Sequence, residues 1–405
     1  MHFTNNFLHL FRGFFAAVSL LSIVSCRHGS GEIATVPIFE TWFSGTSLPS
    51  SALVNTPVRT LDSLRMVIRS QTSAGNGSVI LTDTMGLKYT AGYGTPAAYR
   101  ADSTYPCIIY LHGGTGSQRS DKGEHAWEML QMLADSMDLF FASPSANRQA
   151  PWWSPAGLSR ILQTVRYMTL HYPVNPDKVF LAGVSDGATG CWAAANTIAA
   201  PFAGFIAISG YGGMLAQLGM QLYPENLMQR PIYNVNAGRD RLYPLENVNS
   251  FLDWMEQRGV GVIRKSYPDE EHGFDYRDRE RGALCGLLRS WSRPAGGGAV
   301  NWQVQGGYPF SIDGVVSVEG NGSPPFTYRK FSRNDTIFLQ TAGLGRLRMY
   351  FENERSDGAE TYFLINGGKP RRFKRQKPDN STVLQLMKQR CFPIITDGVV
   401  VTIPL

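Results

Sequence analysis

Between Cys107 and about Trp291, short apolar runs alternate with longer amphipathic stretches. The short runs predict six strands: Cys107–Leu111, Leu139–Ser143, Val179–Ala182, Phe205–Ser209, Ile232–Ala237 and Val262–Ser266. The longer stretches predict five helices: Ala126–Ser136, Leu158–Leu170, Asp186–Ile198, Leu245–Arg258 and Arg277–Trp291. Strands that read as continuous apolar runs and alternate with helices are typical of βα units. Residues 101–292 are therefore predicted to form an α/β domain with an open, mostly parallel sheet.

A different pattern follows this region. The run Arg293-Pro294-Ala295-Gly296-Gly297-Gly298 favours neither helix nor strand, which predicts a linker at 293–299. Beyond it the apolar positions recur every second residue, and this period predicts strands. The strands expected are Thr336–Gln340, Leu347–Phe351, Glu360–Ile365 and Val399–Ile403. Residues 300–405 are therefore predicted to form a small antiparallel β-sandwich.

The N-terminus carries an export pattern. Arg12 is the only charged side chain before an apolar run from Phe14 to Val24, and this run is too short to span a bilayer. The segment Ile23-Val24-Ser25-Cys26, which overlaps the end of this run, resembles the lipoprotein box of bacteria, in which the cysteine is acylated. We therefore expect a signal peptide at 1–25 and an exported protein, periplasmic or at the cell surface, anchored to the membrane at Cys26. The alternative is a plain secretory peptide that contains a cysteine.

Residues 26–100 hold short β-like runs, such as Ser78–Leu81 and Leu87–Thr90, between Gly, Ser and Pro turn signals. They are predicted to form a tether and leading β-strands.

Composition narrows the class of protein. The chain has 405 residues, of which 43% are hydrophobic and 17% charged, a balance that excludes a disordered or collagen-like chain. The formal net charge is +6, and six Lys and Arg residues lie between Lys369 and Lys377. Because an exported protein rarely meets nucleic acid, we interpret this basic stretch as a solvated loop and expect no nucleic-acid partner.

The cysteines beyond Cys26 are far apart, and they form neither a CxxC motif nor a cluster with histidine at metal-ligand spacing. They are interpreted as core thiols, with one disulfide in an oxidising compartment as the alternative: Cys107, Cys191, Cys285 and Cys391. No metal site is predicted.

The strongest chemical signal is Gly183-Val184-Ser185-Asp186-Gly187, which follows a predicted strand and precedes a predicted helix. A Gly-x-Ser-x-Gly turn in this position is a nucleophile elbow, since it exposes the serine hydroxyl at the end of the sheet. The glycines let strand and helix approach without a Cβ clash. Ser185 is therefore predicted to be a nucleophile.

A serine hydroxyl needs an imidazole base, and that base needs a carboxylate to orient it. Asp240 and His272 each follow a predicted strand, in the order Ser, acid, His. All three residues are thus expected at the carboxyl ends of strands, where open α/β sheets bind ligands. Neighbouring acids are alternatives to Asp240, but their closeness in sequence to His272 fits the geometry poorly: Asp269, Glu270 and Glu271.

Acyl transfer also needs donors for an oxyanion. The run His112-Gly113-Gly114 follows the first strand of the α/β region, and the amides of Gly114 and Asp186 are predicted to be the two donors. His112 itself is interpreted as structural.

These residues together resemble an α/β-hydrolase of the esterase and dienelactone-hydrolase type, over roughly half of the chain. The resemblance implies Ser185 as nucleophile, Asp240 as acid, His272 as base and His112-Gly113-Gly114 as oxyanion loop, with no cofactor. The wider group includes carboxylesterases, feruloyl and acetylxylan esterases and related peptidases, all of which transfer acyl groups to water.

Trp152 and Trp153 lie on the predicted loop after the second α/β strand. Paired tryptophans at this edge suit a stacking wall for a sugar or an aromatic acyl group. We therefore expect an exported serine esterase whose partner is an ester substrate, favoured to be a polysaccharide-linked acetyl or feruloyl ester. Two alternatives stay open: a serine peptidase of the same fold, and a catalytically inactive glycan-binding lipoprotein.

Overall fold

The fold is known from a computed structural model. It describes residues 30–45, 48–294, 299–319, 326–333, 336–352, 358–392 and 398–405. The predicted signal peptide, the lipidation site at Cys26 and most of the predicted linker lie outside the described residues. Within the described residues, no helix combines the length and the hydrophobicity needed to cross a bilayer.

An eight-stranded sheet forms the centre of the α/β region. Its strands are β1 (Gly77–Thr82), β2 (Lys88–Gly94), β3 (Tyr105–Leu111), β4 (Phe140–Pro144), β5 (Val174–Val184), β6 (Gly204–Ile208), β7 (Ile232–Ala237) and β8 (Val262–Tyr267). Their order in the sheet is β1-β2-β4-β3-β5-β6-β7-β8. Strands β3 to β8 run parallel, whereas β1 and β2 are antiparallel to their neighbours. This arrangement is the α/β-hydrolase fold, so the predicted fold class is confirmed, and all six predicted strands lie in this sheet.

Helices cover both faces of the sheet. On β3, Ile109 and Leu111 face one hydrophobic core, whereas Ile108 and Tyr110 face another. The central strands are buried on both faces, which explains their unbroken apolar runs. Five helices correspond to the predicted ones: α4 (Gln131–Ala134), α5 (Pro155–His171), α6 (Asp186–Thr197), α8 (Leu245–Glu256) and α9 (Arg277–Ser290). A 3-10 turn at Ala126–Leu130 precedes α4. A short helix, α7 (Pro224–Leu227), was not predicted.

The N-terminal segment differs from its prediction. Strands β1 and β2 are present, but they follow three helices instead of a tether: α1 (Ser30–Ser44), α2 (Ser51–Val54) and α3 (Val58–Ser70). The spacing of Leu61, Leu64 and Ile68 in α3 has the helical period, and these side chains are buried. They share an apolar cluster with residues of α1, with Leu170 and with Val383. The predicted leading strands are therefore present, whereas the prediction of a tether is wrong for residues 30–70, because their apolar side chains pack as helices in this cluster.

The described part of the C-terminal region contains two sheets and one helix. Its elements are β9 (Val300–Val304), β10 (Val315–Glu319), β11 (Phe326–Arg333), β12 (Thr336–Ala342), β13 (Arg346–Glu352), β14 (Glu360–Ile365), β15 (Arg371–Lys374), α10 (Asn380–Gln389) and β16 (Gly398–Pro404). One sheet has three strands in the order β10-β13-β16, and the other has five in the order β15-β14-β12-β11-β9. The four predicted strands are present. Two features correct the purely antiparallel prediction: β12 and β14 pair in parallel, and α10 lies between β15 and β16.

These sheets pack on the α/β region. Trp302, Leu339 and Val401 belong to the same hydrophobic cluster as the residues of α5 and α6. The buried Asn226 side chain bonds both the amide and the carbonyl of Gln303, at 2.8 and 2.7 Å. The C-terminal region is thus joined to the α/β region by a shared core.

Candidate active site

The chain makes a sharp turn at Ser185, between the end of β5 and the start of α6. Ser185 has φ 57° and ψ −122°, a strained conformation for a residue with a side chain. A Cβ on Gly183 would lie 2.3 Å from the carbonyl oxygen of Gly187, and a Cβ on Gly187 would lie 2.0 Å from that of Leu111. Only glycine fits at both positions, which is the physical reason for the Gly-x-Ser-x-Gly spacing.

Two hydrogen bonds connect the three residues predicted to act together. The Ser185 hydroxyl lies 3.0 Å from Nε2 of His272, and Nδ1 of His272 lies 2.8 Å from Oδ2 of Asp240. Because a carboxylate only accepts, Nδ1 carries the proton and Nε2 is free to accept from the serine. The structure therefore brings Ser185, His272 and Asp240 into one hydrogen-bonded chain.

Asp240 lies on the loop after β7, and its side chain is fully buried. Its second oxygen accepts hydrogen bonds from the amides of Leu242 and Tyr243, at 2.8 and 2.9 Å. The carboxylate is thus held in one orientation toward His272. The alternative acids are engaged elsewhere or lie at the surface: Asp269 pairs with Arg239, Glu270 pairs with Arg279, and Glu271 is exposed.

The predicted oxyanion loop lies directly against the serine. A Cβ on Gly113 would be 3.0 Å from Cβ of Ser185 and 3.5 Å from its hydroxyl oxygen. Gly114 has φ +66°, which suits glycine. The Lys122 ammonium donates to the carbonyls of Gly113 and Gly114, at 3.2 and 2.8 Å. The amide of Asp186 belongs to the first turn of α6, where N–H groups have no acceptor within the helix. The assignment of Gly114 and Asp186 as oxyanion donors stays a prediction.

His112 has a structural environment. Its Nδ1 lies 2.8 Å from the carbonyl of Gly113, and its Nε2 accepts from the amide of Ala146 at 3.0 Å. Burial lowers the pKa of His112 to about 4. The imidazole is therefore neutral and links the oxyanion loop to the loop after β4.

The tryptophan pair does not form the predicted wall. Trp152 is fully buried, and its indole N–H donates to the carbonyl of His112 at 2.9 Å. A Cβ on Gly190 would clash with the Trp152 side chain at 2.5 Å, so the indole fills the space between α6 and the loop. The prediction of Trp152 as a substrate contact was therefore wrong, since it is a core residue. Trp153 is only partly buried.

Three side chains that the sequence analysis did not assign connect the parts of the site. The carboxylate of Asp186 accepts from the amide and the hydroxyl of Thr115, at 2.7 and 2.8 Å. It also accepts from the hydroxyl of Tyr243 at 3.3 Å. The ring of Tyr243 stacks on that of His272, with centroids 5.6 Å apart. Burial raises the pKa of Tyr243 to about 12, so its hydroxyl remains a donor.

We call this cluster of Asp186, Thr115 and Tyr243 the Asp186 cluster. It connects the oxyanion loop, the turn at Ser185 and the acid loop. The motif assigns a role only to the backbone of Asp186, although the acidic side chain at its second variable position is a further signal. Nothing in the spacing of Thr115 and Tyr243 indicates that both contact Asp186.

The arrangement is suited to acyl transfer: an imidazole that can take the proton of a serine hydroxyl, a buried carboxylate that orients it, and backbone amides beside the serine. No family model matches the chain. The chain is 24% identical over 235 residues to the bifunctional acetylxylan esterase/xylanase XynS20E of Neocallimastix patriciarum, which covers 54% of this chain. The match covers 33% of that protein, so the chain spans about a third of the length of this curated relative.

Three solved structures are similar at lower identity. A thermostable esterase is 19% identical, with a TM-score of 0.44, and the match covers 56% of this chain and 64% of that chain. Dipeptidyl peptidase 4 of Porphyromonas gingivalis is 14% identical, with a TM-score of 0.44 and coverages of 56% and 37%. Esterase 2 of Thermogutta terrifontis is 12% identical, with a TM-score of 0.42 and coverages of 54% and 97%.

The lowered pKa of His112 predicts a pH-dependent contribution to stability. The unfolded imidazole has a pKa of about 6.5 and binds protons that the buried one does not bind. The stability that depends on a neutral His112 is therefore fully present above pH 6.5 and is lost as the pH falls toward 4. Between pH 7.5 and 5, His112 should account for a loss of about 2 kcal/mol in the free energy of unfolding.

Urea unfolding of wild type and His112→Gln at both pH values tests this. The variant should be less stable at pH 7.5 but should lose less stability on acidification. The matched control is His125→Gln, which changes an exposed histidine and should keep the pH dependence of wild type. An equal loss in wild type and His112→Gln would contradict the prediction.

Proposed function

We propose that this protein is a serine esterase that hydrolyses carboxylic esters through an acyl-enzyme. The observation that carries the proposal is the hydrogen-bonded chain from Ser185 through His272 to the buried Asp240. The strained turn at Ser185 supports it, because such strain is found where a structure needs a side chain in one position. The local identity to an acetylxylan esterase/xylanase agrees with ester cleavage.

In the proposed reaction, Oγ of Ser185 attacks the ester carbonyl carbon while Nε2 of His272 takes the proton from that hydroxyl. The carbonyl oxygen becomes negative, and the amides of Gly114 and Asp186 donate hydrogen bonds to it. As the carbon–oxygen bond to the alcohol breaks, His272 returns the proton to the leaving alcohol. Water then repeats these steps on the acyl-enzyme and releases the acid, so that Ser185 is restored. The chemistry uses no cofactor.

Asp240 acts in this scheme through His272. Its buried carboxylate keeps the proton on Nδ1, so Nε2 faces the serine in the state that accepts a proton. It also stabilises the positive imidazolium that forms during each half-reaction. The two amide bonds to its other oxygen keep the carboxylate from rotating.

The first test concerns the nucleophile. Ser185→Ala should lower the rate of p-nitrophenyl acetate hydrolysis by on the order of 10⁴-fold or more, and it should abolish labelling by a fluorophosphonate probe. The soluble chain from residue 27 onward is the protein to use. The matched control is Ser250→Ala, since Ser250 is an exposed serine on α8, and it should retain the parent rate.

Hydrolysis that survives in Ser185→Ala would place the reaction at another residue. A parent protein that neither hydrolyses the ester nor reacts with the probe would favour the inactive glycan-binding lipoprotein.

The Asp186 cluster has a positioning role in this proposal, since its carboxylate ties the loop of Gly114 to the nucleophile turn. Thr115→Val removes one of the two bonds and should lower kcat about tenfold with little change in KM. Asp186→Ala removes the acceptor for both and should lower kcat by about 10². Asp186→Asn keeps an acceptor oxygen and should recover most of the rate.

Steady-state kinetics on p-nitrophenyl acetate, with melting temperatures measured in parallel, separate positioning from simple loss of structure. A fall in kcat that only follows the fraction of folded protein would contradict the positioning role.

For the substrate, we propose an acetyl or feruloyl ester linked to a polysaccharide. The curated relative is an acetylxylan esterase/xylanase, and Trp153 is partly exposed on a loop that Trp152 anchors beside His112. Trp153→Ala should raise KM for acetylated xylo-oligosaccharides at least about fivefold and leave KM for p-nitrophenyl acetate unchanged. Equal effects on both esters would argue against a sugar contact, and faster cleavage of a peptide anilide than of either ester would favour the serine peptidase.

We further propose that the protein is exported and anchored through acylated Cys26. This rests on the sequence pattern at 12–26 alone. Full-length protein expressed in a bacterial host with radiolabelled palmitate should carry label in the membrane fraction, and Cys26→Ala should not. Unlabelled wild type in the soluble periplasmic fraction would favour the plain secretory peptide.

A further inference from the structure

A small cavity lined by both apolar and charged residues lies where the C-terminal sheets meet the α/β region. Its volume is about 70 Å³. Ala200, which follows the C-terminal end of α6, lines it together with residues of β11, β13 and α10. Because Ser185 is at the N-terminal end of α6, the cavity lies at the opposite end of that helix from the nucleophile. It is thus separate from the candidate active site.

The charges around the cavity do not balance. Its described lining has three cations, Arg293, Lys330 and Arg390, against two carboxylates, Asp313 and Glu352. A fourth cation and a third carboxylate lie beside the lining, since Arg230 contacts Asp313 at 2.5 Å and Arg293 pairs with Asp177 at 3.1 Å. Four cations thus meet three carboxylates.

Both carboxylates are already engaged. Arg293 is 3.9 Å from Asp313, which also pairs with Arg230, and Glu352 pairs with Arg390 at 2.8 Å. Lys330 is therefore the cation of the lining that is left over.

Lys330 is only 5% exposed, yet within the described part of the chain its ammonium has no hydrogen bond or ion pair. Burial lowers the pKa of Lys330, although Asp313 opposes the shift. Tyr328, two residues earlier on β11, is 1% exposed, and its hydroxyl has no hydrogen-bond partner among the described residues. Side chains two residues apart point to the same face of a strand. The Tyr328 hydroxyl is thus a buried donor without an acceptor, and the Lys330 ammonium on the same face lacks a protein acceptor, which is costly unless another acceptor is present.

We propose that this cavity binds a small monovalent anion, a halide or a short carboxylate, with the Lys330 ammonium as its charged donor. An anion both supplies the missing acceptor and offsets the excess positive charge. The volume suits a ligand of this size, because a single water needs about 10–15 Å³ of such space.

A route to the cavity exists. A neighbouring groove of about 270 Å³ shares Arg293, Glu352 and Arg390 with it. The two arginines can draw an anion in from this side. The proposal does not depend on the esterase proposal, because the cavity and Ser185 lie at opposite ends of α6.

The test is thermal unfolding at constant ionic strength, with gluconate, which is too large for the cavity, replaced stepwise by chloride, acetate or formate. Wild type should show a rise in Tm that saturates with the concentration of the small anion. Lys330→Met should lose the saturable rise, with the apparent Kd weakened at least about tenfold. The matched control Lys369→Met changes an exposed lysine and should respond as wild type does. The anion that gives half of the rise in Tm at the lowest concentration, chloride or one of the carboxylates, identifies the ligand class.

A second measurement does not need the variant to fold. The ³⁵Cl resonance of chloride should broaden in the presence of wild-type protein, and acetate should reverse the broadening by competition. Lys330→Arg, which keeps the charge, should retain the effect. A Tm of wild type that does not depend on which anion is present, together with no reversible broadening, would overturn the proposal and indicate that water solvates Lys330.

Discussion

The turn at Ser185 is the constraint on which the arrangement around it depends. Its backbone conformation costs on the order of 1–3 kcal/mol for a residue with a side chain. Two well-packed elements hold it: β5, in the middle of the sheet, and α6, which is buried along almost its whole length. Gly183 and Gly187 remove the side chains that would otherwise keep strand and helix apart. The strain is therefore supported by two buried elements, and the serine hydroxyl has a defined direction.

The site around this turn is assembled from loops that follow neighbouring parallel strands. Since the carboxyl ends of parallel strands meet at one edge of a sheet, residues 185, 240 and 272 come together although they are far apart in sequence. The loops are then fixed by polar contacts. The Asp186 carboxylate binds the oxyanion loop and the Tyr243 hydroxyl, and Tyr243 stacks on His272. Because these groups are largely buried, each bond that is lost leaves an unsatisfied partner, so the network favours a single arrangement.

The C-terminal region is bound to the other end of the sheet by both apolar and charged contacts. Its strands share a core with α5 and α6, and the buried Asn226 bonds across the junction. The charged residues of the two regions meet there as well, for example Arg230 and Asp313. A junction of this kind couples the stability of the C-terminal sheets to that of the α/β region, whatever the sheets bind.

The local pattern of the sequence determined the elements of the α/β region and the candidate reactive residues. Unbroken apolar runs require strands buried on both faces, and the glycines around Ser185 require a close strand-to-helix turn. The same local pattern did not determine which side chains meet. Trp152 and Trp153 are adjacent residues of the same type, and their sequence does not distinguish them. The packing of α6 against the loop makes Trp152 a core residue.

The apolar side chains of the helices in residues 30–70 pack against α5 and α10, so the position of these helices depends on tertiary contacts. The same holds for the Asp186 cluster and for Lys330, which has no partner in the part of the chain that the structure describes; their contacts depend on segments distant along the chain. Short-range periodicity reports the backbone that each segment prefers, whereas hydrogen-bond partners and burial depend on the approach of segments that local sequence does not relate.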